Sequence, residues 1–442
     1  MRFVSNAFTK ALVVAGVALL LLIPVQMLRN LVSERAQLRE QAIASVSRGW
    51  GGRQLIGGPI LAIPATVSVA DARNDGRVHD ILRDWYVLPD SLALESELTV
   101  QDERRKLGVY EVPVYLTKVR AHAKFDLAAK VAAVSAAQRG VTLHLDRARL
   151  LLPVSDPRGV RNVVSNSDGL ASNAFEPQVG FPMAAVGAPL RSDMDLRGGA
   201  VDFDISLEIA GTSSLQFMPL AHSTSVKLAG NWAHPGFARG FLPTERKIES
   251  GNFTARWQVL DLNRVYGSQW FQDETPAGSL EDSAFGVDLV QPVDLYQQAE
   301  RSVKYAGLFI ALSLLTLFLW EHLAGKPLHP IQYGLMGLAL SVFYLLLLAL
   351  AEHIGFASAY LVAALALCAL LGVYISGAFR SATAGSGSAV AFGTVYALLY
   401  LLVTSEDYSL LAGAIGLFAI LATVMVITRR IDWYGTTAKE ES

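Results

Sequence analysis

Residues Ala11–Leu28 read ALVVAGVALLLLIPVQML, an apolar run that is long enough to cross a lipid bilayer. The alternative is a cleaved signal peptide, which would have a shorter apolar core and a small-x-small cleavage site. The run ends in Gln26-Met27-Leu28-Arg29 and offers no such site. We therefore expect residues 1–30 to contain an uncleaved membrane anchor.

Five more apolar segments of near-spanning length lie in the C-terminal part of the chain, separated by brief loops. They are Tyr305–Trp320, Ile331–Leu350, Phe356–Ile375, Ala389–Val403 and Leu410–Ile427. These segments predict a five-helix transmembrane bundle over residues 301–430, with a tail over residues 431–442. The stretch between the anchor and the bundle contains no membrane-length apolar run.

The composition also favours a membrane protein. Only 17% of the residues are charged and 52% are hydrophobic, whereas about 25% of the residues are charged in ordinary soluble proteins. The formal net charge is −2, and Lys and Arg are scattered, so no basic surface for nucleic acid is expected. The single cysteine, Cys368, lies in an apolar segment, so the middle region has no disulfide and no thiolate metal ligand.

Loop charges predict the orientation of the bundle. The basic residues of its loops and tail include Lys326, Arg380, Arg429 and Arg430. The alternate loops carry Glu352, His353, Glu406 and Asp407 but no Lys or Arg. Because cytoplasmic loops are enriched in Lys and Arg, we expect both termini in the cytoplasm and the middle region outside. Arg29, Arg35 and Arg39 follow the first helix and argue the other way, but long domains cross membranes largely regardless of charge.

Apolar and polar residues alternate through much of the middle region. Val201–Ile209, Phe253–Val259 and Val141–Asp146 all follow the period of two that is typical of half-buried strands. Further β-rich runs are Leu55–Val67, Trp85–Leu88, Leu107–Lys118 and Leu215–Leu228. The sequence therefore predicts an antiparallel β-sandwich-like domain over residues 51–300.

Four parts of this region are expected to differ from strands. Residues 31–50 carry apolar residues at helical spacing and predict a juxtamembrane helix that continues the anchor. One short helix is expected within Lys124–Arg139. The Ser-, Asn-, Gly- and Pro-rich segment Asn162–Gly199 predicts long loops, and Glu274–Phe285 predicts another loop.

The chain has no strong catalytic motif, since it lacks a Walker A loop, GxSxG, HExxH and a paired-cysteine motif. Ionisable residues near the bilayer are better candidates, because such groups are costly there and often functional. These candidates are Glu321, His322, His329, Glu352 and His353. They would form a proton relay or a metal site at either membrane face, or serve only as interfacial polar residues. His329 and Glu352 lie at opposite ends of one span, roughly 35 Å apart, so one site cannot hold both.

One turn of the middle region is dense in aromatic residues. The segment Asn231–Phe237 offers Trp232, His234 and Phe237 as a candidate recognition turn. The alternative is that this turn only closes the core of the sandwich. No residue pattern predicts a cofactor, and an enzymatic role has no positive support.

Several stretches of the chain resemble the CreD family of bacterial inner-membrane proteins. They are Leu19–Pro24, Leu55–Pro64, Asn231–Phe237, Gly240–Pro243, Phe253–Trp257, Lys304–Ala306, Leu328–Tyr333, Phe343–His353 and Ile431–Tyr434. The resemblance covers nearly the whole chain. It implies a Gram-negative host, which would make the outer compartment the periplasm. It also implies a link to the Cre two-component regulon, envelope integrity, colicin tolerance and the response to β-lactams, without any established catalytic residue.

Two functions therefore remain open. The leading hypothesis is a non-enzymatic envelope-stress protein whose periplasmic β-domain binds an unidentified envelope component, with the lipid bilayer as its other partner. The alternative is a transporter or lipid-handling protein that uses polar residues at the ends of the bundle. Neither hypothesis predicts an oligomeric state.

Overall fold

In the computed structural model, the chain divides into two compact units. One contains Met1–Arg39 and Val293–Ser442, and the other contains Glu40–Pro292. The structure describes residues 7–404 except 71–77, 102–104, 108–109, 138–139, 238–239, 275–276, 291–294 and 325–327, and beyond these only residues 411, 414, 415, 418, 422, 425 and 426. The sequence-based domain bounds remain predictions.

Long helices make up the membrane-spanning part of the protein, and two short helices, Ala128–Ala137 and Ala277–Asp282, belong to the other unit. In chain order, the helices are α1 (Ala7–Leu20), α2 (Leu22–Trp50), α3 (Ala128–Ala137), α4 (Ala277–Asp282), α5 (Leu295–Ala324), α6 (Pro330–Ile354), α7 (Phe356–Phe379) and α8 (Ala382–Thr404). Among the described residues, five helical stretches are long and apolar enough to cross a membrane: one N-terminal and four in α5–α8. The α+β membrane-protein class is thus confirmed. The fifth predicted C-terminal span, Leu410–Ile427, lies outside the described residues apart from isolated positions.

The N-terminal helix is interrupted once and then continues well past the apolar run. Leu21 separates α1 from α2. The cause is Pro24, which has no N–H to donate to the carbonyl of Leu20. Beyond this point α2 extends to Trp50 and includes the segment predicted as a juxtamembrane helix. Gly51 follows with φ 131°, and a β-carbon there would lie 2.5 Å from the carbonyl oxygen of Ala210, so only glycine fits.

The described residues of the other unit contain twenty strands. They are β1 (Gln54–Ile56), β2 (Ile60–Ala70), β3 (Val78–Val87), β4 (Ser91–Val100), β5 (Arg105–Leu107), β6 (Tyr110–Val112), β7 (Val114–Asp126), β8 (Val141–Leu143), β9 (Arg149–Pro153), β10 (Val160–Ser165), β11 (Glu176–Gln178), β12 (Ala185–Pro189), β13 (Ala200–Thr212), β14 (Ser214–Phe217), β15 (Ser223–Gly230), β16 (Pro235–Gly236), β17 (Glu245–Glu249), β18 (Asn252–Leu260), β19 (Gln269–Phe271) and β20 (Phe285–Leu289).

Two seven-stranded sheets dominate this unit. Sheet I has the order β10-β13-β7-β4-β15-β18-β17, and sheet II has the order β11-β12-β9-β2-β3-β19 with β8 also paired to β2. A four-stranded sheet, β1-β14-β20-β16, and the β5-β6 pair complete the set. Most pairs are antiparallel as predicted, but β4 with β15 and β1 with β14 are parallel. The pairing is therefore mixed, because strands distant in sequence meet side by side.

One hydrophobic core contains residues of both large sheets. Leu94 and Phe203 of sheet I belong to the same buried cluster as Ile63 and Leu150 of sheet II. Strand β4 alternates strictly between exposed and buried residues along its length. This alternation means that sheet I buries one face and leaves the other to solvent.

Two of the segments expected to be loops contain regular structure. Asn162–Gly199 holds the end of β10 and the whole of β11 and β12. Glu274–Phe285 holds α4 and the first residue of β20. The expected short helix in Lys124–Arg139 is confirmed as α3, but it is not the only short helix. These errors share a cause, since short strands and a short helix carry too few residues to show a period.

Strand β20 should be intolerant of any side chain at Gly286. A β-carbon at this position would lie 2.3 Å from the carbonyl oxygen of Leu215 in β14, and φ is 155°. We expect Gly286→Ala to lower the free energy of unfolding by about 1 to 3 kcal/mol. Gly199→Ala is the matched control, because no atom lies within 4 Å of its β-carbon. Chemical denaturation of the purified protein measures both; an equal effect of the two substitutions would contradict the packing.

Candidate functional site

Glu321, one of the residues singled out in the sequence, is the centre of a buried polar cluster. It lies in the last turn of α5 and is 7% exposed. The Nζ atom of Lys10, in α1, forms an ion pair with its Oε1 atom. The hydroxyl of Tyr333, in α6, donates to its Oε2 atom at 2.6 Å. One carboxylate therefore joins three helices.

Glu352 forms a second cluster near the C-terminal end of α6. The hydroxyl of Tyr296, in the first turn of α5, donates to its Oε1 atom at 3.2 Å. The Nε atom of Arg35, in α2, lies 3.9 Å from the same oxygen. The side chain of Glu352 is 11% exposed, whereas that of Arg35 is 42% exposed. This cluster is the more open of the two.

The two clusters have the same design at opposite ends of the α5/α6 pair. Each contains a carboxylate from one helix of the pair, a tyrosine hydroxyl from the other helix and a cation from the N-terminal helical segment. A carboxylate in a poorly hydrated site needs such partners, because an unpaired charge there is very costly. The arrangement satisfies the carboxylates and ties the helices together, which is a structural role.

The candidate histidines do not gather around either carboxylate. His329 is the N-cap of α6, where its Nδ1 atom accepts a hydrogen bond from the backbone N–H of Ile331 at 3.3 Å. The backbone N–H of His329 in turn donates to the side-chain oxygen of Gln332 at 2.7 Å. His353 is exposed next to Glu352. The side chain of His322, as well as Glu406 and Asp407, lies outside the described residues. Within the described part of the chain, no group of three or more His, Cys, Asp or Glu residues could hold a metal ion.

The aromatic turn of the β-rich unit is largely packed into its core. Phe237 is 7% exposed and makes edge contacts with Phe253 and Trp257, both with ring centroids 5.9 Å apart. Trp232 is half-buried, and its Nε1–H donates to the carbonyl oxygen of Val290 at 3.0 Å. His234 is exposed. Of the three predicted recognition residues, only His234 therefore offers its side chain freely to a partner.

The solvent face of sheet I carries a further candidate surface, which was not among the sites predicted from the sequence. A groove of about 470 Å³ opens there, and polar residues of β4, β7, β13 and β15 line much of it. Lys118 and Arg120 project from the exposed side of β7. The segment Lys118-Val-Arg120-Ala-His122-Ala-Lys124 does indicate such a surface, because it has a polar residue at every second position. Every second residue of a strand faces the same side of the sheet.

The charges of this groove alternate from strand to strand. Lys118 of β7 lies opposite Glu97 of β4 and Glu208 of β13. Arg120 lies opposite Glu95, which in turn lies opposite Lys227 of β15.

Few of these charges are neutralised within the groove. Lys227 and Glu95 approach to 3.8 Å. Among the described residues, Lys118 and Arg120 form no ion pair, and neither do Glu97 and Glu208. The groove therefore presents charges of both signs that remain available to a partner.

The helices and sheets together define a multi-pass membrane protein with a large β-rich domain inserted between its first and second spans. The family model described as "Inner membrane protein CreD" matches residues 6–434. An Escherichia coli (strain K12) protein, also described as "Inner membrane protein CreD", is 32% identical over 435 residues, which cover 97% of this chain and 94% of that protein. The chain belongs to the CreD family of inner-membrane proteins.

The ion pair of the Glu321 cluster should contribute more to the stability of the protein than the ion pair of the Glu352 cluster. Lys10 and Glu321 are both mostly buried, with side-chain exposures of 18% and 8%, so Lys10→Met or Glu321→Gln alone should destabilise the protein by about 3 to 5 kcal/mol. The double substitution should recover much of this loss, because no unpaired charge remains. Reversible unfolding in mixed detergent micelles measures the coupling free energy.

The control is the same double-mutant cycle with Arg35→Met and Glu352→Gln. Its coupling should be about 1 kcal/mol or less, since Arg35 is largely exposed. A coupling at Arg35–Glu352 that equals or exceeds the coupling at Lys10–Glu321 would refute the proposed difference.

Proposed function

We propose that this protein is a non-enzymatic envelope protein whose β-rich unit binds another envelope component in the periplasm. The observation that carries this proposal is the charged groove on the solvent face of sheet I. Its lining is built on five adjacent strands of a regular sheet, β10-β13-β7-β4-β15, so the groove has a rigid floor. Rigid elements that present unpaired polar groups are typical of recognition surfaces.

The chemistry of the groove points to a polypeptide partner. The groove offers Lys118 and Arg120 beside Glu97 and Glu208, so it does not favour a ligand of a single charge. A peptide segment with both basic and acidic side chains matches rows of alternating sign. The rows also penalise partners whose charges are out of register, which gives specificity.

The orientation is part of the same proposal. Lys and Arg in the predicted cytoplasmic loops support cytoplasmic termini and a periplasmic β-rich unit. Membership of the CreD family supports an inner-membrane location. The role in envelope integrity within the Cre regulon, with effects on colicin and β-lactam sensitivity, extends from the family resemblance and belongs to the proposal.

A second candidate, lipid handling, rests on one observation in the helical unit. An apolar groove of about 640 Å³ lies between α1 and α5, and small residues such as Ala15, Ala18 and Ala311 form part of its lining. A lipid acyl chain would fit such a groove. Against transport, Glu321 and Glu352 are already engaged by tyrosines and cations. Absence of lipid or ion flux through the reconstituted wild-type protein would exclude this candidate.

Photo-crosslinking in living cells tests the groove. A photoreactive amino acid at Arg120 should give a defined covalent adduct, because this side chain lines the groove. The same probe at Leu262, which is 88% exposed but does not line the groove, is the control. In the Arg120 variant, adding Lys118→Glu should reduce the yield of the adduct at least severalfold. The new carboxylate would repel the acidic side chain of the partner that Lys118 attracts. Equal adducts from both positions, or none from Arg120, would argue against binding in the groove.

Cysteine labelling tests the orientation separately. In a Cys368→Ala background, Leu262→Cys should react with a membrane-impermeant maleimide once the outer membrane is permeabilised. Ser442→Cys should react only after cell lysis. The reverse pattern would place the β-rich unit in the cytoplasm and defeat the proposed envelope role.

A further inference from the structure

A second polar feature of the β-rich unit lies on sheet II and is separate from the charged groove. Arg149 of β9 lies opposite Ala62 of β2, Ala62 lies opposite Tyr86 of β3, and Tyr86 lies opposite Trp270 of β19. Directly opposed residues project from the same face of a sheet. Arg149, Tyr86 and Trp270 therefore form one row on one face, which we call the Tyr86 row.

Three hydrogen-bond donors of this row have no partner among the described residues. They are the Tyr86 hydroxyl, the Nε–H of Arg149 and the Nε1–H of Trp270. Tyr86 is fully buried and Trp270 is 6% exposed. Leaving buried donors unpaired is costly, so proteins rarely keep several together without a use for them.

The charge of the row is already balanced. The Nη2 atom of Arg149 donates to Asp84 at 2.5 Å, and its Nη1 atom donates to Gln178 at 3.0 Å. Burial raises the pKa of Tyr86 well above its ordinary value, Asp84 raises it further, and Arg149 acts in the opposite direction. The phenol therefore remains a neutral donor, close to both charged groups, at any physiological pH.

The walls of the row are aromatic. The Phe181 ring packs edge-on against Tyr86 with centroids 5.2 Å apart, and the Trp270 ring lies 6.2 Å from the Tyr86 ring. Phe181, itself 8% exposed, lies against the Tyr86 ring of the row and follows Gly180, whose φ of 98° suits glycine. A ligand would reach the donors by displacing the Phe181 side chain.

These properties define the ligand. Three donors require acceptor oxygens, and the Arg149–Asp84 pair leaves no net charge for an anion to neutralise. Aromatic walls require an apolar face on the same ligand. A pyranose ring combines an apolar C–H face with a rim of neutral hydroxyl and ether oxygens. We infer that the Tyr86 row binds a neutral sugar unit of an envelope polysaccharide, with Tyr86, Arg149 and Trp270 donating to its oxygens.

Isothermal titration of the full-length protein in detergent tests this inference. The probe is the neutral tetramer of N-acetylglucosamine, with tetra-alanine as the peptide comparison. Tyr86→Phe removes one donor and keeps the ring, and Trp270→Phe removes one donor and replaces the indole with a smaller aromatic ring, so each should weaken binding of the tetrasaccharide about tenfold or more. No binding to the wild type, unchanged affinity in both variants, or binding of tetra-alanine instead would overturn the inference.

Thermal unfolding of the ligand-free protein provides a second readout with a matched control. Tyr115 is also fully buried, but its hydroxyl donates to the carbonyl oxygen of Ser214 at 2.6 Å. Tyr115→Phe should lower the melting temperature and leave saccharide affinity unchanged. Tyr86→Phe should leave the melting temperature unchanged or raise it, because its hydroxyl has no protein partner to lose. A fall as large as that of Tyr115→Phe would show that an internal partner satisfies Tyr86, and would overturn the inference.

Discussion

The helical unit depends on one buried interaction, the contact of Glu321 with Lys10 and Tyr333. Lys10 and Glu321 are 311 positions apart in sequence, so their pairing ties the N-terminal helix to α5 within one helical unit. Glu352 repeats the design at the other end of α5 and α6. In a bilayer, where apolar surfaces gain little from contact with each other, such polar ties are among the few interactions that specify which helices pack together. This constraint accounts for the costly carboxylates near the membrane, because a tyrosine and a cation engage each of them.

The β-rich unit differs from the helical unit in its place in the chain, since a membrane-spanning segment precedes it and another follows it. Parallel pairing of β1 with β14 and of β4 with β15 brings distant segments together, and a single core joins the two large sheets. One face of sheet I is left to solvent and carries alternating charges. Sheet II holds the buried donors of the Tyr86 row. The two features differ in charge, exposure and chemistry, so they suit different partners.

Sequence patterns predicted the helices and strands that follow a local period. They did not predict contacts between residues that are far apart in the sequence. The alternation in Val201–Ile209 predicted β13, and the apolar runs after Tyr305 predicted helices α5–α8. Strands β11 and β12 were missed because they are short and lie in a Ser- and Asn-rich segment. Glu321 and Glu352 stood out because carboxylates near a bilayer are costly. Their partners could not be predicted, since Lys10, Tyr333, Arg35 and Tyr296 come from other helices, and the Tyr86 row exists only through the register of four strands.

The most direct test of the central claim is a disulfide between the N-terminal helix and α5 in native membranes. A β-carbon at Gly307 would lie 3.3 Å from a side-chain carbon of Leu22. In a Cys368→Ala background, Leu22→Cys combined with Gly307→Cys should therefore form an intramolecular disulfide rapidly under mild oxidation. Leu22→Cys with Val373→Cys is the control, since Val373 is 74% exposed on α7, and this pair should not crosslink. Failure of the first pair, or equal crosslinking of both, would contradict the packing of the N-terminal helical segment against α5 that the buried ties require.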